Sequence, residues 1–384
     1  MKQRLAILGS TGSIGMQTLD VCRCFPEQFE VEVLTAGKQA AELVKQALEF
    51  NPNMVVIADE SQYHFVSDAL KNTDIKVFCG SKSIADAATV ESVDTVVLAL
   101  VGIAGLEPAY AALKAGKKLA LANKEVLVVA GELIAKTAIE NSAAIIPIDS
   151  EHSAIMQCLQ GESSAAIEKI ILTASGGPFR GFKKDQLENV TLKQALAHPV
   201  WSMGNKITID SATMMNKGFE VIEARWLFNV PAKKIDVVIH PQSIIHSMVQ
   251  FVDGSVKAQM SRPDMRLPIM YALTWPERMA APFQTSGIND IFSLTFEKAD
   301  TGTFRHLSLA YEAIAKGGGA PCVLNASNEV AVGLFLNNQI SFTGMQKMSE
   351  AALTHISAGM PASIADYLAL DSETRAYCQT LNIK

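Results

Sequence analysis

The chain has 384 residues, 49% of them hydrophobic and 19% charged, with a formal charge of −6. That length exceeds one ordinary core and implies two or three domains, and the apolar share excludes a disordered chain. Mild acidity excludes a global pull toward nucleic acid, so an anionic ligand must be held by a local cluster of donors.

Met1-Lys2-Gln3-Arg4 runs straight into Leu5-Ala6-Ile7-Leu8, which reads as a strand and not as a secretory signal. The longest apolar run, Val96 to Ile103, falls far short of the roughly 20 residues a membrane helix needs. The six cysteines, Cys22, Cys24, Cys79, Cys158, Cys322 and Cys378, are scattered and read as reduced thiols. These features give the expectation of a cytoplasmic protein with no membrane partner.

Up to Ile148, short β-rich runs alternate with helical segments. Strands are predicted at Leu5–Leu8, Glu30–Thr35, Met54–Ala58, Thr95–Leu100, Lys118–Leu121 and Ala144–Ile148, with helices such as Ala40–Phe50 and Leu106–Ala115 between them. Such alternation implies a Rossmann-like, mostly parallel sheet covered on both faces, over residues 1–148. From 149 to 275 the rhythm changes. A helix at Ser153–Leu159 stops at Gly161, and strands are predicted at Lys169–Ala174, at Ile235–Ile239 and on either side of Asp253-Gly254, a hairpin signal. This is the pattern of a central α/β domain with a mixed sheet. Residues 276–300, rich in Pro, Gly, Ser and Asn, read as a linker. Residues 301–384 read as a small helical C-terminal domain with helices at Phe304–Lys316, Val323–Asn337, Met345–Ser357 and Ile364–Leu381.

Gly9-Ser10-Thr11-Gly12-Ser13-Ile14-Gly15 follows the first strand and opens a helix. Backbone N–H groups there can hold a dinucleotide pyrophosphate, although the spacing is G-x-x-G-x-x-G and a plain tight turn is the bland alternative. The second strand ends in Gly37-Lys38-Gln39, with no acid for a ribose 2′-hydroxyl and a lysine suited to a 2′-phosphate, which favours NADP over NAD.

Asp149-Ser150-Glu151 ends an apolar run, and along an extended chain its two acids point to one side. Without a Cys/His cluster, hard carboxylate oxygens suit Mg²⁺ or Mn²⁺. The same tripeptide also fits a helix cap with an acid in the first turn. Farther on, Met215, Phe219, Ile222 and Trp226 form an apolar helical stripe, whereas Thr213, Asn216, Lys217 and Glu220 form a polar one. That polar patch can be a surface ion pair or can supply one metal ligand and two phosphate donors. Loop segments 175–179 and 198–205, and Asn123-Lys124-Glu125 after a strand, also suit ligand binding. His240 and His246 read as satisfied core groups.

Taken in order, GSTGSIG (9–15), ANKE (122–125), DSEH (149–152), SGGPF (175–179), HPVWSMGNK (198–206), NKGFE (216–220), HPQSIIHSMV (240–249) and NASNEVAV (325–332) resemble the 1-deoxy-D-xylulose 5-phosphate reductoisomerase family of the methylerythritol phosphate route to isoprenoids. The resemblance spans nearly the whole chain. It implies an NADPH-dependent, divalent-metal-dependent conversion of 1-deoxy-D-xylulose 5-phosphate to 2-C-methyl-D-erythritol 4-phosphate, by skeletal rearrangement and then reduction of an aldehyde. It further implies Thr11, Gly12, Ser13, Ile14, Gly37, Lys38, Gln39, Asn123, Glu125 and Gly204 as cofactor contacts. Asp149, Glu151 and Glu220 become ligands of one Mg²⁺ or Mn²⁺, with Co²⁺ a third option. Lys124, Ser150, Glu151, Ser175, His198, Ser211, Asn216, Lys217 and Glu220 become substrate contacts, and Lys124, Asp149, Glu151 and Glu220 the catalytic set. Trp201 and Met203 look like parts of a lid loop, 198–206, and the family pattern implies a homodimer with no nucleic-acid partner.

Two positions depart from the family pattern: Gln39 stands where Asn is common, and Val200 where the lid usually carries Asn. Neither touches the acids. The rival reading, an NADP-dependent dehydrogenase of another small anionic metabolite, needs no trio of acids around an ion. A dinucleotide-sensing regulator leaves SGGPF, HPVWSMG and NKGFE unexplained.

Overall fold

The computed structural model describes residues 2–383 apart from 202, 284–290 and 292. The chain divides into two compact units, Met1–Val126 with Ile134–Ser153 and Asp264–Gln284, and Leu127–Leu133 with Ala154–Pro263 and Thr285–Lys384. Among the described residues no helix is long and apolar enough to cross a membrane.

The first unit alternates strand and helix: β1 Gln3–Leu8, α1 Ser13–Cys24, β2 Phe29–Ala36, α2 Ala40–Phe50, β3 Met54–Ile57, α3 Tyr63–Leu70, β4 Lys76–Cys79, α4 Ser81–Ala87, β5 Thr95–Leu98, α5 Leu106–Lys114, β6 Lys118–Leu121, the two ends of α6, Glu125–Glu140, β7 Ile145–Pro147 and the start of α7, Ser150–Cys158. Seven strands form one sheet in the order β4-β3-β2-β1-β5-β6-β7, every neighbouring pair parallel. Strand β4 has no counterpart among the predicted strands. Its residues alternate exposed and half-buried at the sheet's edge, so it lacks the continuous apolar run that marks the central strands. Strands β3, β5 and β6 are buried almost throughout because helices cover both faces. The strand order reverses between β1 and β5, which places the loops after those strands at the crevice where α/β sheets bind ligands.

In the second unit come the short helices α8 Lys184–Leu187 and α9 Leu192–Ala195, then α10 Asn205–Thr213 and α11 Met215–Leu227. Its sheet contains β8 Ile167–Ala174, β9 Ile235–Ile239, β10 Ile245–Phe251, β11 Val256–Met260 and β12 Glu297–Lys298, in the order β11-β10-β8-β9-β12. Only β8 and β9 pair in parallel, so the sheet is mixed, as expected. The β10–β11 hairpin turns at Asp253-Gly254, where Gly254 has φ +87° and Asp253 Oδ1 accepts from Ser255 N at 2.9 Å.

Helix α12, Arg266–Thr274, belongs to the first unit, where it packs on α1, β6 and β7. The helices α13 Arg305–Lys316, α14 Ala320–Leu336, α15 Phe342–His355 and α16 Ile364–Thr380 share a unit with the mixed sheet, α13 lying on α11 and α14 on α10. These bounds differ from a division at 148, 275 and 300, since helix packing follows apolar faces and not chain order. Within the stretch read as a linker, residues 284–290 and 292 lie outside the described residues, while β12 pairs with β9.

Candidate active site

In the first unit, the turn after β1 is shaped by glycines that have no room for a side chain. A Cβ on Gly9, at φ +90°, would stand 2.7 Å from the Ala99 carbonyl oxygen, and one on Gly15 would stand 2.3 Å from the Gly9 oxygen. The backbone therefore passes close to the β5 loop and to itself. Ser10 Oγ donates to Gln46 Oε1 at 2.7 Å, and Gly9 N donates to Thr35 Oγ1 at 3.0 Å, tying the turn to α2 and β2. Helix α1 has no side-chain cap, and Gly12 N is already taken by the Gly9 oxygen at 3.1 Å, so the amides open to an anion are those of Thr11, Ser13 and Ile14. Gly37, Lys38 and Gln39 are exposed between β2 and α2, and Gly37 has nothing near its Cβ position.

Asn123, Lys124 and Glu125 lie buried at the β6–α6 junction. The Asn123 amide donates to the Leu100 and Gly102 oxygens, both at 2.9 Å, and its Oδ1 accepts from Val126 N at 3.1 Å. Its side chain is thus spent on joining the β5 loop to α6. Lys124 Nζ lies 2.7 Å from Asp149 Oδ2. Burial works against charge on Asp149, but the Lys124 ammonium and His152 outweigh it and hold the carboxyl well below the ordinary range.

Asp149 and Glu151 do not share a side by strand alternation, because the chain turns helical at Ser150. They converge at a helix start instead: Ser153 N donates to the Asp149 oxygen at 2.8 Å, and carboxylate oxygens of the two acids come within 4.8 Å. Glu151 stands in the first turn of this helix, as the cap reading expects. Ser150 Oγ donates to Glu151 Oε2 at 2.5 Å. His152, fully buried with Nδ1 3.6 Å from Asp149 Oδ2, received no role from the sequence, although a histidine three residues after an acid on a helix was a usable signal.

In the second unit, α10 and α11 meet at Met214, which takes a left-handed φ of 65°. The apolar stripe of α11 is buried at Met215, Phe219 and Ile222, yet its polar stripe is buried too, Lys217 being 4% and Glu220 1% exposed. Asn216 Nδ2 donates to Glu220 Oε1 at 2.6 Å, and Lys217 Nζ donates to Glu220 Oε2. This is no solvated surface pair. Gly218 has a packing role, since a Cβ there would come within 2.7 Å of the Ala310 Cβ on α13.

Loop 175–177 lies against the same helices, a Cβ on Gly177 falling 2.7 Å from the Ser211 oxygen. His198 Nδ1 accepts from Val200 N at 3.2 Å and Trp201 N at 2.9 Å, while its Nε2 lies 3.0 Å from Ser175 Oγ. A nitrogen that accepts two amides carries no proton, so Nε2 carries it and donates to Ser175. Ser175 Oγ also accepts from Gly177 N at 3.2 Å, which leaves its own hydrogen to donate to a ligand. Burial pushes the His198 pKa down, in keeping with the neutral ring. In the predicted lid, Ser202 lies outside the described residues and Gly204 caps α10. His240 and His246 are core groups, His240 donating from Nδ1 to the Thr295 oxygen at 2.9 Å while Nε2 accepts from Ile244 N and Ile245 N. Missed altogether was the buried set behind α10, in which Asp210 takes Lys206 Nζ at 2.9 Å and Asn328 Nδ2 at 2.7 Å.

Family profiles described as 1-deoxy-D-xylulose 5-phosphate reductoisomerase, its C-terminal domain and the DXP reductoisomerase C-terminal domain match residues 5–131, 145–228 and 260–377. The 1-deoxy-D-xylulose 5-phosphate reductoisomerase of Bacteroides fragilis is 51% identical over 383 residues, covering 100% of this chain and 99% of its own length. That of Chlorobium chlorochromatii is 50% identical over 376 residues, 98% of each chain. The Zymomonas mobilis enzyme, solved in complex with NADPH, matches with a TM-score of 0.93 at 40% identity over 99% of this chain and 100% of that one. A DOX-P reductoisomerase solved with NADPH, fosmidomycin and magnesium gives 0.93 and 40% over 98% and 97%. The chain belongs to the 1-deoxy-D-xylulose 5-phosphate reductoisomerase family.

Proposed function

We propose that this chain rearranges 1-deoxy-D-xylulose 5-phosphate and reduces the resulting aldehyde to 2-C-methyl-D-erythritol 4-phosphate, using NADPH and a divalent ion. The observation that carries this reading is the end-to-end relationship to reductoisomerases, 51% identical over 383 residues. Solved relatives hold NADPH and magnesium, and the groups present here fit both. The turn at Gly9–Gly15 has backbone where side chains would stand and uncapped amides beyond it. Asp149, Glu151 and Glu220 offer only hard carboxylate oxygens, and together they are the acids we assign to one Mg²⁺ or Mn²⁺.

When bound, NADPH supplies the hydride and the ion polarises the substrate's oxygens, a contribution worth several kcal/mol. The chain supplies position and protons. Lys124, steadied by Asp149, is placed to hold or move a proton at a substrate oxygen. Ser150 and Glu151 contact the hydroxyl and keto end. The Ser175 hydroxyl, Ser211, Asn216 and Lys217 take the remainder and the phosphate, with His198 fixing the direction in which Ser175 donates. Thr11, Gly12, Ser13, Ile14, Gly37, Lys38, Gln39, Asn123, Glu125 and Gly204 surround the cofactor. The loop bearing Trp201 and Met203 excludes water and retains the aldehyde.

A homodimer through the second unit's sheet is part of this reading, supported by β11, an edge strand whose Val256 is 51% exposed. A reducing, cytoplasmic setting is supported by the six free cysteines. The test follows NADPH loss with deoxyxylulose phosphate, with and without EDTA, and identifies the product. Loss of turnover with EDTA, restored by Mg²⁺, is expected. Turnover that survives chelation favours a plain NADP-dependent dehydrogenase instead.

A further inference from the structure

We propose that Asp210, held between Asn328 and Lys206, is a positioning residue for the reaction: it fixes the rotation of α10 about its axis and so the place of Ser211 at the substrate. The inference rests on the function proposed above, which assigns Ser211, Asn216 and Lys217 to the substrate. All three members of the clamp lie in the second unit. Asp210, on α10, is 1% exposed, and Asn328, on α14, is fully buried. Asn328 Nδ2 donates to Asp210 Oδ1 at 2.7 Å, and Lys206 Nζ stands 2.9 Å from Asp210 Oδ2. Each carboxylate oxygen thus has its own donor, one from a neighbouring helix and one from the first turn of α10.

Helix stability does not account for this arrangement. A lysine four residues before an acid is the poorer order along a helix, because it sets the cation at the positive N-terminal end. Helix α10 has nine residues and no side-chain cap, fewer than the roughly 12–15 at which a helix stands alone, so packing decides where it lies. A buried ion pair also seldom outdoes apolar side chains of the same volume. The amide is aimed as well: Asn328 Oδ1 has no hydrogen-bond partner among the described residues, so Asn328 forgoes an acceptor contact to point its donor at this carboxylate. Its mount is firm. Glu329, the next residue on α14, and Asp371 on α16 both accept from Arg375, the latter from Nε at 2.6 Å.

Ser211 follows Asp210 and points about 100° farther round the same helix. Side-chain tips stand about 5 Å from a helix axis, so a rotation of about 15° carries the Ser211 hydroxyl about 1 Å. A misplacement of about that size can cost about 10²-fold in rate. Lys206 extends the control to the next helix. Its Nζ lies 5.2 Å over the ring of Phe219, which is buried on α11 immediately before Glu220. One carboxylate therefore sets the helix that carries Ser211 against α14 on one side and, through Lys206, against α11 on the other.

The test uses the full chain with Asp210→Asn, with Asn328→Asp and with the two combined. In Asp210→Asn one side-chain oxygen replaces two, so either Asn328 or Lys206 loses its acceptor. Asn328→Asp sets two carboxylates against each other. The combination restores both contacts, the new amide at 210 donating to the new carboxylate at 328 and accepting from Lys206. Each single change is expected to raise substrate KM about tenfold and lower kcat about threefold or more, with NADPH Kd changed less than about twofold. The combination should return KM to within about threefold of wild type. Asp210→Asn keeps the side chain's shape and decides alone where Asn328→Asp does not fold. Hydrogen exchange at amides 205–213 reads the tether without turnover, and should be about tenfold faster in Asp210→Asn and near wild type in the combination. A wild-type KM in Asp210→Asn with a lowered unfolding midpoint marks a merely structural bond and overturns the proposal. So does a combination that recovers the midpoint and not KM. A wild-type chain that turns over no deoxyxylulose phosphate sinks the function proposed above instead, and unchanged exchange in Asp210→Asn then overturns the clamp by itself.

Discussion

The turn after β1 and the α10–α11 helix pair both suit anions, by opposite means. The first uses backbone: amides at Thr11, Ser13 and Ile14, with glycines at 9 and 15 where a Cβ would meet carbonyl oxygens at 2.7 and 2.3 Å. The second uses side chains, with a nearly fully buried carboxylate, Glu220, gripped by Asn216 and Lys217. Backbone donors carry partial charges and need no neutralising partner, so they can stand open to solvent until a ligand arrives. A buried lysine and glutamate must compensate each other even in the empty site. The two regions therefore differ in what a substitution does: in the turn it blocks an approach, and in the helix pair it unbalances charge.

The largest expected effect unbalances charge. Glu220→Gln keeps the shape and an acceptor for Asn216 but removes a full negative charge beside Lys217 and, on our reading, one metal ligand. Turnover should fall roughly 10²- to 10³-fold, the equivalent of several kcal/mol of transition-state stabilisation. NADPH affinity, read by fluorescence titration, should change less than about twofold. Equal loss in both measurements would break the division of labour between the two regions. The variant should also unfold at lower denaturant, since removing one partner of a buried pair typically costs about 3–5 kcal/mol.

The mirror experiment alters the turn. In Gly15→Ala the added Cβ meets the Gly9 oxygen and Ser10 backbone, which have no flexible side chain to move aside. Such overpacking costs about 1–3 kcal/mol, and NADPH affinity should drop about tenfold or more. Turnover at saturating NADPH should remain far above that of Glu220→Gln. An unchanged affinity would show that close backbone approach at this turn does not serve the cofactor.

The same contrast explains what was legible in the sequence. Glycine spacing reports backbone geometry directly, because only glycine leaves room for so close a backbone approach, and β1, the turn and α1 lay where they were expected. The three strands β3, β5 and β6 were equally plain as unbroken apolar runs, whereas edge strand β4 was not. Side-chain charge is harder. Nothing local in Asp149-Ser150-Glu151 distinguishes a cap from a metal ligand, and the structure makes it a helix start, so the extended-chain argument failed although the acids still converge. Spacing placed Asn216, Lys217 and Glu220 on one patch but could not tell that the patch is buried, since burial of α11 depends on α13 pressing on Gly218. The Asp210–Asn328 bond crosses 118 residues and leaves no local trace at all.

The smallest effect tests whether a charge can be introduced where none belongs. His198 sits in the second region but acts through its neutral ring, Nδ1 accepting from Val200 N and Trp201 N and Nε2–H donating to Ser175. Burial lowers its pKa below the ordinary 6.5, so the folded protein resists protonation more than the unfolded chain does. This favours folding fully above about pH 6.5, and the advantage is lost as pH falls through the folded-state value. In that window Nδ1 gains a proton, both amides lose their acceptor, and the loop lets go of the ring that aims Ser175. With about 0.5–1.5 kcal/mol at stake per bond, substrate KM should be flat above neutral pH and rise a few-fold as pH drops toward 5. His198→Asn, which offers an acceptor that does not titrate there, should show a higher but flatter KM over the same range. A wild-type KM that stays level down to pH 5 would mean that the loop is held by something other than His198, and Ser175 would then need another group to set its hydrogen.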